Sequence, residues 1–465
     1  MTLKDDLIIY DSMSREKRRF VPIIENKVSM YVCGMTVYDL CHIGHARALI
    51  FFDFVAKFLR SIGYDVHYVR NITDVDDKII KKAREQQISC TDVTTKNIAE
   101  MHHDCHNLGI ATPDDEPRAT AYIAEMIALI ENLFKKNLAY KNSVGDVCYR
   151  VNNFEGYGRL SRRELSQLQS GARIEQHEGK EDALDFGLWK AAKPDEPSWD
   201  SPWGLGRPGW HLECSAMSMS LLGETIDIHG GGVDLQFPHH ENEIAQSEGA
   251  TAKQFVRNWM HVGALQIDNE KMSKSLGNFF TIKDILAKFD FETIRYFMFS
   301  TSYRHPLHYS EQQLLAAKKS LKRMYLALRS VKVDVESEVN KDIFKRFKDS
   351  LLDDFNTPQA LAIMAEVVKK LNNAVTSKND SSAKQYAQTL VTMGGYFGIL
   401  QSNPEDYLCG NNSKIESSEI ESLLNTRDIA RANKDWVQAD KIRDELLAIG
   451  IEIEDSSSGT TWRRA

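Results

Sequence analysis

The chain has 465 residues, 42% of them hydrophobic and 27% charged, with a formal net charge of −8 at pH 7. This composition excludes a wholly disordered chain, and the length suffices for roughly two to four domains. The negative net charge gives no sign of a general affinity for nucleic acid. Any RNA contact must therefore use a local basic patch.

The N-terminal sequence has no basic segment followed by a long apolar run, and no stretch has the apolar length that spans a bilayer. The seven cysteines form an odd set without a CxxC pair, which indicates a reducing compartment and not a disulfide framework. We therefore expect a soluble cytoplasmic protein without a membrane segment.

The first predicted elements alternate between strand and helix. Residues 28–32 predict a strand, 46–61 a helix followed by Gly63, and 64–70 a second strand. Such a βαβ unit begins a doubly wound parallel sheet of the Rossmann type, whose ligands bind at the carboxyl ends of the strands. The fold class predicted is therefore α/β.

The middle of the chain predicts an insertion in this fold. Residues 101–136 have helical spacing, 139–152 have the pattern of a hairpin, and four prolines predict a loop at 193–209. Sheet character then returns, with a strand at 226–229 that precedes three glycines and another at 261–267. Between these two strands, Pro238 is predicted to begin a helix.

Apolar residues recur at helical spacing from 310 to about 400, which predicts a helix bundle. A polar stretch at 404–418 predicts a linker before a small helical domain. The predicted boundaries are 1–120 and 206–262 for the two halves of the Rossmann domain, 121–205 for the insertion, 263–309 for a connecting region, 310–403 for the bundle, and 404–465 for the linker and C-terminal domain.

Two short motifs suggest a divided phosphate site. His42-Ile43-Gly44-His45 lies between the first predicted strand and helix, so both imidazoles are expected at a helix N-terminus, where anions are stabilised. The second motif, Lys271-Met272-Ser273-Lys274-Ser275, places two ammonium groups three residues apart among small residues. That pattern is typical of a loop that closes over a polyphosphate.

Cysteine, histidine and glutamate residues also suggest a metal site. His239 and Glu243 lie four residues apart, so a helix would present them on one face, and Cys33 and Cys214 can supply thiolates. All are good zinc ligands. His240 with Glu243, three residues apart, satisfies the spacing equally, so the pattern leaves the choice of histidine open.

Further runs carry a resemblance to a known family. They are MTVYDLCH at 35–42, NITDVDDK at 71–78, GWHLECS at 209–215, HGGGVDL at 229–235 and GTTWRR at 459–464. Together with the histidine motif at 42–45 and the lysine motif at 271–275, these runs resemble the cysteinyl-tRNA synthetases, a family of class I aminoacyl-tRNA synthetases. The resemblance runs essentially from end to end of the chain.

The resemblance implies a ligase that activates L-cysteine with ATP, releases pyrophosphate, and transfers cysteine to the 3′-terminal adenosine of cysteine tRNA. It assigns catalysis to His42, His45, Lys271 and Lys274, and a zinc ion to Cys33, Cys214, His239 and Glu243. This zinc ion would coordinate the substrate thiolate and so discriminate cysteine from serine, while Mg²⁺ would accompany ATP.

The same resemblance implies further contacts. Gly231, Gly232 and Asp234, with His42, His45 and Lys274, would bind ATP. Gly34, Thr73, Trp210 and His229 would line the cysteine pocket. Region 263–309 would contact the tRNA stem, 310–403 would bind tRNA, and the C-terminal domain would read the anticodon.

Anticodon candidates are Arg427, Trp436, Trp462 and Arg463, of which Trp462, in a polar tail, is ranked above Trp436. We expect a monomer.

Two alternatives remain open. A ligase of the same lineage could join activated cysteine to a small amine, as the mycothiol-pathway ligase does, but it would not need the bundle and the C-terminal region. A non-catalytic tRNA-binding relative would be expected to have lost signature lysines or histidines. Here both motifs are intact.

Overall fold

The computed structural model describes residues 3–162, 179–267, 270–271, 280–331, 337–409, 417–448, 450–456 and 459–464. The chain forms two compact units. One comprises Met1–Leu314 with Phe347–Leu361, and the other Leu315–Arg346 with Ala362–Ala465. None of the described helices is long and apolar enough to cross a membrane.

The first unit combines helices and strands. Its strands are β1 Ile8–Asp11, β2 Glu16–Arg19, β3 Lys27–Thr36, β4 Asp65–Thr73, β5 Ala139–Lys141, β6 Val147–Tyr149, β7 Phe186–Ala191, β8 Gly206–Pro208, β9 Ile226–Gly232, β10 Val256–Val262, β11 Leu265–Ile267, β12 Glu270–Lys271 and β13 Leu307–Tyr309. Its helices are α1 Ile43–Ser61, α2 Asp77–Gln86, α3 Cys90–Asn107, α4 Ile123–Lys135, α5 Trp210–Leu222, α6 Glu241–Thr251, α7 Ile282–Leu286 and α8 Phe291–Phe299.

Four parallel strands form the central sheet in the order β10-β9-β3-β4. From β3 the chain continues to β4 on one side and returns much later to β9 on the other, so the strand order reverses between β3 and β9. Ligands of doubly wound folds bind beside such a reversal, at the carboxyl ends of the strands. The predicted α/β fold is confirmed.

Helix α1 carries the first histidine motif and is buried along most of its length. Its apolar side chains include Phe52, Phe54 and Phe58, all of them fully buried, and it packs against the sheet and against α8. Because this helix lies in the core, its N-terminal turn has a fixed position at the edge of the sheet. The histidine motif is therefore held at the start of a buried helix.

The insertion contains a second sheet, antiparallel and ordered β5-β6-β7-β8. The predicted hairpin at 139–152 is confirmed as β5 and β6, which pair antiparallel. Helix α4 packs against α5 and α6 of the Rossmann fold and shares their core.

Several predicted elements differ in their limits. The helix predicted at 101–136 is wrong over its middle, because α3 ends at Asn107 and the following segment pairs with β4 through Ile72 N and Pro117 O, 2.8 Å apart. The strand predicted at 261–267 is interrupted at Gly263, and the loop predicted at 193–209 includes β8. Pro238 lies in an irregular turn, Gln236–His240, and the regular helix begins at Glu241.

The C-terminal part of the chain is helical. Its helices are α9 Glu311–Arg329, α10 Lys341–Leu352, α11 Thr357–Thr376, α12 Asp380–Phe397, α13 Pro404–Cys409, α14 Ser417–Ala432 and α15 Trp436–Ala448, followed by an antiparallel hairpin of β14 Ile451–Ser456 and β15 Gly459–Arg464. The predicted bundle is confirmed. Residues 404–409, predicted as linker, form a helix in which Tyr407 stacks on Tyr325 with ring centres 3.8 Å apart.

Candidate active site

Four side chains of types that can ligate a metal converge at the reversal of strand order. Cys33 lies near the end of β3, Cys214 in α5, His239 in the turn before α6, and Glu243 in the first turn of α6. The Cys33 sulfur lies 3.6 Å from the Cys214 sulfur, 3.4 Å from His239 Nε2 and 3.4 Å from Glu243 Oε1. His239 Nε2 and Glu243 Oε1 are 3.0 Å apart.

These separations fit a tetrahedral ion. Zinc bonds of about 2.0–2.3 Å place neighbouring ligand atoms about 3.3–3.8 Å apart, close to the observed spacing. A second group, Cys33, His229, His240 and Glu243, also lies within reach of a common point. In that group, however, His240 Nε2 is 4.0 Å from Glu243, and His240 Nδ1 is 2.8 Å from His261 Nε2. The first group fits better and has two sulfurs.

The electrostatics of the cluster favour a bound cation. Burial opposes ionisation of Cys214, but the Cys33 thiol, which donates a hydrogen bond to it, and nearby His239 lower the pKa of Cys214 to about 6. Burial likewise disfavours charge on His239, yet the negative charges of Glu243 and Cys214 raise its pKa to about 10. Burial raises the pKa of Cys33 and opposes charge on Glu243, whereas His229 and His239 hold the pKa of Glu243 well below its usual value. Without an ion, the negative charges of Cys214 and Glu243 thus face one protonated imidazole, and a divalent cation could replace that proton and balance both charges.

Neighbouring side chains hold the two ligands of the α6 region in place. The Trp210 ring stacks on His239 with ring centres 4.4 Å apart, and His211 Nδ1 lies 2.8 Å from His239 Nδ1. His229 Nε2 lies 2.8 Å from Glu243 Oε2, and His229 is fully buried. His229, predicted to line the cysteine pocket, therefore contacts Glu243 from inside the protein core. Sequence reasoning did not single out His211, whose only signal was its place in the GWHLECS run.

Asn71, which the sequence analysis did not single out, forms hydrogen bonds with both Gly34 and Thr73. The Gly34 N–H donates to Asn71 Oδ1 at 2.8 Å, and Asn71 Nδ2 donates to Thr73 Oγ1 at 3.3 Å. A Cβ atom at Gly34 would lie 1.6 Å from the Asn71 carbonyl oxygen, so only glycine fits there. The Cys214 sulfur lies 3.6 Å from Asn71 Oδ1, which links this corner to the metal cluster.

The first histidine motif forms the N-terminus of α1, as predicted. His42 is the N-cap, and its backbone N–H donates to His45 Nδ1 at 3.2 Å. The two imidazole rings stack with centres 3.6 Å apart. Burial, followed by the charge of neighbouring His42, lowers the pKa of His45 well below its usual value, so His45 is neutral. A neutral imidazole keeps one N–H group, which can donate a hydrogen bond to a phosphate at this helix N-terminus.

The second motif falls mostly outside the described residues. Lys274 is not described, and Lys271 is described only by its backbone, which lies in β12 and pairs with Gln266 of β11. The residues that follow the motif do contact the first motif. Ile43 N donates to Phe280 O at 3.1 Å, and Ile282 N donates to Cys41 O at 2.9 Å.

The predicted adenosine contacts lie at the end of β9. Gly231 is buried, and a Cβ there would lie 2.9 Å from Leu235 Cδ1. A Cβ at Gly232 would lie 2.6 Å from Asp234 Oδ1, and Asp234 itself is exposed in the next turn. Protein side chains therefore pack directly against both glycines, and a larger residue at either position would have to displace them.

Two of the predicted tRNA contacts are internal. Trp462 is 8% exposed and packs in a core with Ile420, Leu446 and Ile451. Arg427 is 5% exposed and pairs with Asp455 through two hydrogen bonds of 2.9 and 2.8 Å. Neither presents a free face to a base.

The other two are nearer the surface. Trp436, the first residue of α15, is 59% exposed, whereas Arg463 pairs with Glu452 at 2.7 Å. The ranking of Trp462 above Trp436 is therefore corrected, because the tail that carries Trp462 folds back as a strand of a hairpin.

Three family models match the chain. A model of the class I (C) tRNA synthetase catalytic domain matches residues 19–319, a DALR domain model matches 346–401, and a cysteinyl-tRNA ligase anticodon-binding domain model matches 416–463.

Curated relatives match over almost their full length. A cysteine–tRNA ligase of Azotobacter vinelandii is 52% identical over 98% of this chain and 99% of its own length. Cysteine–tRNA ligase 1 of Photobacterium profundum is 50% identical over 98% of this chain and 100% of its own length.

Among solved structures, methionyl-tRNA synthetase of Mycobacterium tuberculosis in complex with methionyl-adenylate matches with a TM-score of 0.56 and 14% identity, over 80% of this chain and 89% of that one. A leucyl enzyme of Agrobacterium radiobacter in a ternary complex with tRNA matches with a TM-score of 0.59 and 12% identity, over 81% of this chain and 84% of that one. At this identity the likeness shows the fold alone.

Proposed function

Because the chain belongs to the cysteine–tRNA ligases, a family of class I aminoacyl-tRNA synthetases, we propose a role in its reaction for each part of the site. The substrates are L-cysteine, ATP and cysteine tRNA, and the products are pyrophosphate, AMP and cysteinyl-tRNA. The observation that carries the proposal is the convergence of two thiols, an imidazole and a carboxylate at the reversal of strand order in the central sheet.

Cys33, Cys214, His239 and Glu243 would hold the zinc ion. When bound, zinc supplies a soft Lewis acid that favours a thiolate over a hydroxyl, which is the difference between cysteine and serine. The donor spacing and the two sulfurs support zinc. His211 and His229 orient His239 and Glu243 from behind, as outer-shell partners of metal ligands do.

The cysteine pocket is formed around this cluster. Gly34 lines the pocket with its backbone at the end of β3, Thr73 offers its hydroxyl, and the Trp210 ring forms a wall beside His239. Because the substrate carboxylate is itself the nucleophile, no serine or cysteine nucleophile is required. The protein contributes position and electrostatic stabilisation.

ATP binds across the ends of β3 and β9. His42 and His45 donate to its phosphates at the helix N-terminus, and Lys271 and Lys274 neutralise charge that builds on the departing pyrophosphate. Gly231 and Gly232 admit the adenosine, and exposed Asp234 accepts from the ribose hydroxyls. Mg²⁺ accompanies the phosphates with few protein ligands.

Transfer to tRNA uses the rest of the chain. Region 263–309 contacts the tRNA stem, the bundle at 310–403 binds tRNA, and region 404–465 reads the anticodon. Within the last region, exposed Trp436 is now the first candidate for stacking on an unpaired base, ahead of Arg463, while Arg427 and Trp462 support the domain. The enzyme acts in the cytoplasm as a monomer.

One pair of assays tests the proposal against both alternatives. Cysteine-dependent ATP–pyrophosphate exchange measures activation, and transfer of cysteine is then measured to tRNA and to a panel of small amines. The proposal predicts exchange with cysteine, negligible exchange with serine, and transfer to tRNA alone. Transfer to an amine in preference to tRNA would indicate the amine ligase, and absence of exchange would indicate the non-catalytic relative.

A further inference from the structure

Tyr31, two residues before Cys33 in β3, is a tyrosine whose hydroxyl lies inside the protein beside the metal cluster. The residue is fully buried, and within the described part of the chain its hydroxyl has no partner in normal hydrogen-bond geometry. The Cys214 sulfur is close enough to interact with this hydroxyl. The Tyr31 ring is held by His229, which it meets edge-on with ring centres 5.2 Å apart. The hydroxyl therefore faces the cluster from the core.

The surroundings of this hydroxyl keep it protonated. Burial raises the pKa of Tyr31 well above its usual value, and the negative charges of Cys214 and Cys33 raise it further. A phenol that keeps its proton can donate to a thiolate, whereas a buried hydroxyl that donates to nothing is unfavourable. Phenylalanine would fill the same space without that cost. A role for the hydroxyl must therefore come from an acceptor in the cluster.

An unpaired hydroxyl does not by itself mark a functional residue. Tyr68, in the neighbouring strand β4, is also buried, and its hydroxyl likewise lacks a hydrogen-bond partner among the residues that the structure describes. The main ionisable groups near Tyr68 lie outside the metal cluster and are Arg70, Asp53, Cys105 and Glu116. Tyr31 differs in the group that its hydroxyl faces, which is a candidate metal ligand.

The proposed zinc site has more negative charge than the ion balances. Thiols that ligate a metal are deprotonated, so Cys33, Cys214 and Glu243 would set three negative charges against the two positive charges of the ion. The thiolate of a bound cysteine would add another negative charge to this buried site, whereas the neutral hydroxyl of serine would add none. A hydrogen bond that withdraws charge from a ligand sulfur therefore favours cysteine over serine.

We propose that Tyr31 is a positioning residue for cysteine recognition, whose hydroxyl donates a hydrogen bond to the Cys214 sulfur when the metal and the substrate are bound. This inference rests on the proposed zinc site. Tyr31 does not touch the substrate. It acts through Cys214, because the hydrogen bond orients the sulfur and lowers its negative charge, so that the substrate thiolate can bind the same ion. His229 makes a comparable contact with Glu243, with its Nε2 2.8 Å from Oε2.

The test compares Tyr31→Phe with Tyr68→Phe in the full-length, zinc-loaded enzyme. We expect Tyr31→Phe to retain zinc and to raise the KM for cysteine in ATP–pyrophosphate exchange about 10-fold, the lower end of what a hydrogen bond to a charged group contributes. The kcat/KM for serine should change less than about twofold, because its hydroxyl adds no charge, so the preference for cysteine falls. Tyr68→Phe should change neither quantity.

Two readouts do not depend on activity. With cobalt in place of zinc, the sulfur-to-cobalt charge-transfer band reports the electron density on the ligand sulfurs. Loss of the donor should move this band to longer wavelength in Tyr31→Phe and leave it unchanged in Tyr68→Phe. The second readout is the rise in melting temperature when L-cysteine is added to the zinc-loaded enzyme. This rise should be smaller in Tyr31→Phe alone, because a ligand that binds less tightly stabilises less.

The outcomes distinguish this proposal from the proposed function. An unmodified enzyme that binds neither zinc nor cobalt would overturn the metal site and, with it, this role of Tyr31. If the unmodified enzyme binds metal and selects cysteine, an unchanged band or an unchanged KM for cysteine in Tyr31→Phe overturns the proposal alone. Equal losses with cysteine and serine would also overturn it, since they indicate general damage.

A second replacement keeps the proposal testable if Tyr31→Phe does not fold. A fluorinated tyrosine at position 31 retains the shape of the side chain, and its more acidic phenol is the stronger hydrogen-bond donor. The cobalt band should then move to shorter wavelength, the opposite direction from the loss of the donor. A band that does not move would overturn the proposal.

Discussion

The metal cluster and the C-terminal hairpin both bury charged side chains, but they arrange them differently. In the cluster, the donor atoms of Cys33, Cys214, His239 and Glu243 point to a common position. In the C-terminal domain, Arg427 of α14 and Arg463 of β15 are each paired with an acidic side chain of β14. Four donor atoms of metal-ligand type within reach of one point indicate a bound ion. Arginine–carboxylate pairs that satisfy each other indicate a structural role.

The largest expected effect is the loss of a metal ligand. Cys214→Ser should lose zinc and cysteine-dependent exchange together, by more than about 100-fold, since even outer-shell substitutions at metal sites cost about 10- to 100-fold. Zinc is measured by plasma emission spectrometry and exchange by radiolabelled pyrophosphate. Cys148→Ser is the control, because Cys148 is equally buried but lies in the insertion hairpin. Zinc loss with normal exchange would refute the role of the metal.

Next in size is the phosphate side of the same unit. Lys274→Ala removes one contact that strengthens as pyrophosphate departs, so we expect a loss of about 2–4 kcal/mol in transition-state stabilisation, seen in kcat and not in the KM for cysteine. Steady-state exchange at varied ATP and cysteine measures both constants. A change confined to the KM for ATP would mean that the lysine binds substrate and transition state equally.

Removal of the C-terminal domain tests the other half of the comparison. Because residues 404–409 form a helix that packs through Tyr407 on Tyr325, the deletion should begin at 410 and not at 404. We expect the variant lacking 410–465 to retain cysteine-dependent exchange and to lose most cysteinylation of full-length tRNA. Minihelix substrates without an anticodon should be charged equally by both forms. An equal loss of exchange from a well-folded truncation would contradict this division.

Two tryptophans sharpen the contrast inside that domain. Trp436→Ala should leave the melting temperature nearly unchanged. It should reduce transition-state stabilisation, obtained from kcat/KM for tRNA, by about 1–3 kcal/mol, the contribution of one stacked base. Trp462→Ala should instead destabilise the C-terminal domain by about 3–5 kcal/mol, because it empties a core position. Calorimetry and tRNA charging on both variants decide between them. The reverse pattern would return Trp462 to the tRNA interface.

The sequence predicted the order of elements and the place of the histidine motif best, because periodicity and residue type allowed few other arrangements there. The order of elements around β3, α1 and β9 follows from hydrophobic periodicity and glycine positions, and the structure confirms it. The two histidines of the first motif lie where a strand gives way to a helix, so their place at a helix N-terminus was predictable. The family resemblance grouped Cys33 and Cys214 with His239 and Glu243, and the structure brings the four together. Spacing alone could not have paired the two cysteines, since 181 residues separate them.

The failures have physical causes as well. The helix predicted at 101–136 ends early because the 114–118 segment forms hydrogen bonds along β4, a long-range contact that local spacing cannot reveal. Spacing could not choose between His239 and His240, because the decision depends on the irregular turn before Glu241. Trp462 was misjudged because polar neighbours in sequence concealed a two-stranded hairpin that turns its ring inward.

The central claim is that the cluster binds zinc and that zinc contacts the substrate sulfur. Zinc K-edge X-ray absorption on the full-length protein counts sulfur ligands directly, without substrate, with saturating L-cysteine, and with L-serine as the matched control. The account predicts two sulfur ligands in the free enzyme, three with cysteine, and two with serine. A count that stays at two in the cysteine-saturated enzyme would contradict it.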